Sequence, residues 1–289
     1  MESWRAFAHL PLVFTICLST VCSPERTQAQ ALNWEGQTGA LMTPFAYVTA
    51  SPVGRVGRPT LAFHVLDGGD VIGIHYQMSV TVGLLNRMEV GVTRSAVSSV
   101  GDEPIASLFD RGFTTLHAKV VLVSEAGGFP GPTVAVGALV RWQKEHIAAD
   151  IIPSDPTQDA DVFLVATKTI TATDGVSFVV SGGVRGTNAS FMGIAGNAPS
   201  WEARGFASGG VLLGRSVMLG AEVRQQPAHL DGFPEARIPS TVAYFARVQP
   251  RRTTRFNFDL ALVDAGGSVA AGQDLKAQSR LAGGVSFRF

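Results

Sequence analysis

Leu281-Ala282-Gly283-Gly284-Val285-Ser286-Phe287-Arg288-Phe289 is the stretch whose reading decides the fold. Counting back from the last residue, Phe289, Phe287, Val285, Gly283 and Leu281 share one face. Arg288, Ser286, Gly284 and Ala282 share the other. Side chains alternate across a strand, so this is a β-strand with one apolar face and one small or polar face, ending on an aromatic ring. The composition around it agrees. The chain has 289 residues, 46% hydrophobic and only 16% charged, with 32 glycines. Low charge with abundant glycine fits many short strands joined by turns better than a helical protein. The formal net charge is zero, so there is no basic footprint for nucleic acid.

The ending resembles the C-terminal assembly signal of Gram-negative outer-membrane β-barrels, with Phe287 and Phe289 in its aromatic positions. That resemblance implies the barrel-assembly machinery as a partner, and outer-membrane lipid and lipopolysaccharide as surroundings. Near the other end, Gly39-Ala40-Leu41-Met42-Thr43-Pro44-Phe45-Ala46 is similar to a Gly-apolar-x-x-Pro-x-Ala segment of several outer-membrane barrel families, exopolysaccharide-associated ones among them.

Residues 1–31 read as a secretory signal peptide. Arg5 and His9 precede an apolar run from Leu10 to Val21. Ala29-Gln30-Ala31 is a small-x-small cleavage site, with Thr27-Gln28-Ala29 as the alternative. Both cysteines, Cys17 and Cys22, fall in this leader, so the mature chain has no thiol for disulfides, thiolate metal sites or nucleophilic catalysis. No later run approaches ~18 consecutive apolar residues, which predicts no transmembrane helix. Export then leaves a soluble β-protein or an outer-membrane barrel.

Residues 32–59 read as a periplasmic lead-in or plug, and 60–289 as the barrel. Strands are predicted at Thr60–Leu66, Ile72–Val82, Met88–Ala96, Thr114–Ser124, Thr133–Gln143, Val162–Ala172, Val176–Gly186, Phe206–Gly214, Val217–Gln225, Thr241–Val248, Arg255–Val263 and Arg280–Phe289. Most have the length a tilted strand needs to cross a bilayer. After a short first loop, Asp67–Val71, the connections alternate short and long without a break, from Leu84–Arg87 to Asp264–Ser279. A barrel with tight periplasmic turns and longer extracellular loops does this. A β-sandwich has no physical reason to. The fold class is therefore an all-β, antiparallel up-and-down transmembrane barrel of about 12 strands.

One face of these strands is apolar, as in Val134, Val136, Ala138 and Val140, or Phe256, Phe258, Leu260 and Leu262. Trp142, Tyr76, Tyr244, Phe287 and Phe289 suit interfacial girdles. Lys168 breaks the apolar face and needs either a register slip or a route to the interface. The opposite face carries His64, His75, Glu89, His117, Lys119, Arg141, Arg185, Glu222, Arg224, Arg247, Arg255, Asp259, Arg280 and Arg288. The long loops hold most of the acids, Asp150, Asp155, Asp159 and Asp161 among them. Charge is thus expected to segregate, basic inside and acidic outside. Arginine rings in a narrow pore favour anions and grip carboxylates bidentately.

No metal or cofactor is implied: the four loop aspartates resemble a calcium loop in composition but lack EF-hand spacing. His75 and Ser79 share a face, which leaves a lipid-modifying enzyme open. Gly-x-Ser-x-Gly, His-Glu-x-x-His and P-loop motifs are absent. The function expected is a small anion-biased pore for small or acidic solutes. The alternatives are a closed barrel assisting polysaccharide export and a lipid-modifying enzyme.

Overall fold

A computed structural model describes residues 31–51, 55–68, 73–98, 112–125, 130–142, 158–188, 201–214, 216–226, 240–250, 255–264, 269–270, 273–274 and 280–289. Twelve strands form one closed antiparallel barrel: β1 (Thr60–Asp67), β2 (Ile74–Leu84), β3 (Met88–Ser98), β4 (Thr114–Val123), β5 (Thr133–Trp142), β6 (Gln158–Thr173), β7 (Val176–Thr187), β8 (Glu202–Leu213), β9 (Val217–Gln225), β10 (Ser240–Val248), β11 (Phe256–Asp264) and β12 (Arg280–Arg288). Each strand pairs with the next in sequence. β12 closes the ring against β1, from Arg288 opposite Thr60 to Ala282 opposite Leu66. Closure matters physically because a strand edge left open in hydrocarbon would expose unpaired N–H and C=O groups.

Side-chain parity follows the sequence reading. Along β11, Asn257, Asp259, Ala261 and Val263 are buried at 3–7% exposure, while Phe258, Leu260 and Leu262 stand 48–59% exposed. The same inversion recurs at Met78, Leu116, Val140, Leu164, Val184 and Leu219, all exposed and apolar. An apolar belt of this extent is unfavourable against water and favourable against lipid.

The turns explain the tight end. Between β2 and β3, Leu85 and Asn86 both take positive φ (55° and 56°), and the Arg87 N–H donates to the Leu84 carbonyl at 3.1 Å. Two consecutive positive φ angles make a type I′ turn, whose twist matches that of a hairpin. Gly175, at φ 94°, serves the β6–β7 hairpin. The long connections fall mostly outside the described residues, as do the leader, Asp150 and Asp155.

Lys168 resolves without a register slip. It lies near the short-turn end of β6, and its Nζ donates to the carbonyls of Pro130 (3.0 Å) and Gly131 (3.2 Å), with Glu125 at 3.3 Å. The side chain reaches past the apolar belt to the rim. At that same end Phe287 packs on Phe256 (4.6 Å) and Phe289 (4.8 Å).

Candidate functional site

The lumen is filled by the chain's own N-terminal segment. Residues 31–46 are all buried. Ala31–Leu32 pairs with Thr38–Gly39 in a small antiparallel ladder. The Asn33 side-chain oxygen accepts the N–H groups of Glu35 (3.0 Å) and Gln37 (2.9 Å) and so fixes the turn between the two strands. Gly36 caps that turn at φ 83°, where a Cβ would stand 2.4 Å from Thr93 Oγ1. Only glycine combines that conformation with so close an approach to the wall.

The wall holds the segment chiefly by its peptide groups. Glu222 Oε1 accepts the Met42 N–H, and its Oε2 accepts the Thr43 N–H and hydroxyl, each at 2.8 Å. Glu89 accepts from Thr38 N–H (3.0 Å), Thr38 Oγ1 (2.7 Å), Thr49 N–H (2.8 Å) and Thr49 Oγ1 (3.2 Å). Lys119 spends its three donors on Glu89 (2.8 Å) and the carbonyls of Thr38 (3.0 Å) and Phe45 (2.9 Å). Arg247 grips Asp259 with two nitrogens (2.7 and 3.2 Å). It also donates to the carbonyls of Gly39 (2.8 Å) and Ala40 (3.1 Å). Trp34, Leu41, Met42 and Phe45 of the segment pack in one buried apolar cluster with Leu66, Val179, Leu212, Met218 and Phe245 of the wall.

Near the long-loop end, three arginines from alternate strands converge on one plug carboxylate. Arg185 of β7 meets Glu35 end-on, Nη1 to Oε1 at 2.8 Å and Nη2 to Oε2 at 2.7 Å. Arg141 of β5 donates to Glu35 Oε1 at 2.7 Å, and Arg224 of β9 stands 3.5 Å from it. Asp159 and Asp161 complete the cluster: Asp159 takes Arg141 at 2.8 Å, and Asp161 takes Arg141 at 2.6 Å and Arg185 at 3.0 Å. Burial alone would raise the pKa of Glu35. Arg185, Arg224 and Arg141 outweigh it and hold the carboxyl far below the ordinary range.

The expected lumen residues His64, His75, Glu89, His117, Lys119, Arg141, Arg185, Glu222, Arg224, Arg247 and Asp259 are all buried within the barrel. Arg255 keeps inward parity but sits exposed at the short-turn rim, ahead of β11, where the lumen has ended. His64 packs on Trp34 (centroids 6.0 Å), and His117 Nε2 lies 3.3 Å from Thr81 Oγ1. Ser79 Oγ pairs with Thr93 Oγ1 at 3.0 Å. Its separation from His75, four residues along one strand, is about 13 Å, so those two form no catalytic pair.

The expectation of a basic interior is corrected. β6 begins at Gln158, four residues earlier than predicted, so Asp159 and Asp161 are wall residues and not loop residues. Arg141 stands directly opposite Asp159 in the ladder. With Glu35 supplied by the plug, Lys119, Arg141, Arg185, Arg224 and Arg247 face Glu35, Glu89, Asp159, Asp161, Glu222 and Asp259. Five cations thus meet six acids, so the buried charge of the described lumen is not basic.

A closed twelve-strand ladder, apolar outside, polar inside and tight-turned at one end, defines an outer-membrane β-barrel. Within that class the sequence matches the family described as a protein of unknown function, DUF3034, over residues 30–277, and the chain belongs to it. No curated protein matches the chain. Among solved structures it is similar to the NanC porin, at 11% identity and a TM-score of 0.51, over 79% of this chain and 100% of that one. It also aligns with outer membrane protein Omp33 of Acinetobacter baumannii (10%, TM-score 0.47, 82% and 100%). A third match is the COG4313 outer membrane channel of Pseudomonas putida F1 (14%, TM-score 0.45, 83% and 97%). At these identities the likeness is one of fold.

Proposed function

We propose that the protein is an outer-membrane channel for small acidic solutes, closed at rest by its own residues 31–50. One observation carries this reading: four charged wall residues, Glu89, Lys119, Glu222 and Arg247, hold the segment by polar, exchangeable contacts to its backbone. A wall that binds peptide groups in this way is lined with groups that can be rehydrated when the segment leaves. Withdrawal also removes Glu35. Among the described residues Arg141, Arg185 and Arg224 then face Asp159 and Asp161, so this cluster gains one excess positive charge and an anion preference. The leader delivers the chain for export. Ala31 is paired with Gly39 and buried, which favours cleavage after Ala29 over cleavage after Ala31.

The test is planar-bilayer recording of the full mature chain and of a variant lacking residues 32–50. The full chain is expected to be nearly silent, and the deletion to give discrete steps with an anion-over-cation reversal potential. Silence or cation preference in a correctly folded deletion removes the reading. A second reading, a permanently closed barrel serving polysaccharide export, draws on the apolar packing of Trp34, Leu41, Met42 and Phe45. It requires the full chain to stay closed under every solute tested and to co-purify with periplasmic export proteins.

A further inference from the structure

Among the described residues the barrel wall alone does not supply an acid for each arginine of the cluster. Two wall aspartates face three wall arginines, and the third carboxylate comes from the plug. Between Arg26 and Arg55 the sequence carries a single charged residue, Glu35, and that residue is the one placed here. The cluster also keeps donors in reserve. Arg185 Nε has no hydrogen-bond partner among the described residues. Among the described residues Arg224 makes one long contact, 3.5 Å to Glu35, which engages one of its five N–H donors. The grip has the shape of a planar acid: Arg185 meets both carboxylate oxygens with parallel N–H groups, and Arg141 adds a third bond to Oε1.

We propose that Arg141, Arg185 and Arg224 form a carboxylate-binding subsite for a solute, occupied in the closed protein by Glu35. An acidic solute and the N-terminal segment then compete for the same three guanidinium groups. This rests on the channel reading for the solute's purpose, but not for its binding. The arrangement favours a carboxylate over a neutral amide, which would bring an N–H₂ donor against guanidinium donors. Because Glu35 is tethered in place, its high effective concentration sets a threshold that a free acid must exceed to displace it.

The experiment uses the full mature chain, folded in detergent, with acetate as the probe and acetamide as its neutral isostere. Chymotrypsin cleavage after Phe45 or Tyr47 reads undocking of the plug. In Glu35→Ala the carboxylate position is vacated. The docked segment shields the vacated site from water, so the arginines hold acetate more tightly there than in the open lumen; acetate at about 100 mM is expected to slow cleavage at least threefold, with acetamide inert. In the wild type the same acetate competes with Glu35, so cleavage does not slow and rises with concentration. The rescue is expected to vanish in Glu35→Ala/Arg185→Ala. Equal effects of acetate and acetamide, or rescue that survives loss of Arg185, overturn the proposal. If Glu35→Ala does not fold, Glu35→Gln keeps the volume and weakens the grip. Acetate should then accelerate its cleavage at tenfold lower concentration than in the wild type, and an unchanged threshold overturns the proposal equally. The cleavage assay involves no current, so a silent bilayer would dismiss the channel and leave this result standing.

Discussion

Replacing Glu222 by alanine should undock the N-terminal segment. The carboxylate accepts three hydrogen bonds of 2.8 Å, two of them from the consecutive N–H groups of Met42 and Thr43. Removing it strands two buried backbone donors, at about 1–3 kcal/mol each, and frees the Thr43 hydroxyl at about 1 kcal/mol. Water entering the vacated volume recovers part of that, so we take about 3 kcal/mol. At about 1.4 kcal/mol per factor of ten, the docked-to-undocked ratio falls by roughly a hundredfold. When opening and closing are fast relative to cleavage, proteolysis follows the population of the open form. Chymotrypsin should therefore cut after Phe45 or Tyr47 roughly a hundred times faster than in the wild type, while the barrel migrates as folded on an unheated gel. A rate within threefold of wild type, in a barrel that is folded, would refute the reasoning, because it would mean the Glu222 contacts do not hold the plug.

Four further outcomes are expected. Lys119→Met leaves Glu89 buried and unpaired and frees the carbonyls of Thr38 and Phe45; it should cost about 3–5 kcal/mol in denaturant unfolding, and Lys119→Met/Glu89→Leu clearly less. Glu35 has its folded pKa depressed below the ordinary 4.5, so its contribution is fully present above that value and is lost as pH falls through the folded pKa. Tryptophan emission should accordingly stay constant from pH 7 to about pH 5 and change only in stronger acid, with that acid transition absent from Glu35→Gln. Lys168→Met removes a partly exposed rim contact and should shift stability by less than about 1 kcal/mol by urea titration. Deleting Phe289 should lower the folded protein recovered from outer membranes while leaving refolding into micelles unchanged. Equal losses in both would assign the residue to barrel stability instead of recognition by the assembly machinery.

The barrel was legible because its signals are local. A period of two, hairpin signals such as Asp174-Gly175 and the alternation of connection lengths are each contained within a few residues. β9 matches its predicted bounds, Val217–Gln225. The largest boundary errors, four residues each, fall at the starts of β6 and β8. The error at β6 changed the chemistry: Asp159 and Asp161 follow a polar, proline-bearing stretch that reads as loop, and only pairing with β5 and β7 draws them into the wall. The role of Glu35 was not legible at all. Its partners are 106, 150 and 189 residues away in sequence, and no periodicity spans such distances. The one available signal is its isolation, a lone charge in the otherwise uncharged stretch that reads as a periplasmic lead-in or plug.

Glu89, Lys119, Glu222 and Arg247 address mainly amides and carbonyls of the plug, and every residue type supplies those groups. Most side chains between Leu32 and Ala50 are therefore free to drift over generations without loosening the closure, provided volume is kept. The fixed points should be few: the side-chain oxygen of Asn33, the carboxylate at Glu35, the bare Cα of Gly36 and the hydroxyls of Thr38 and Thr43.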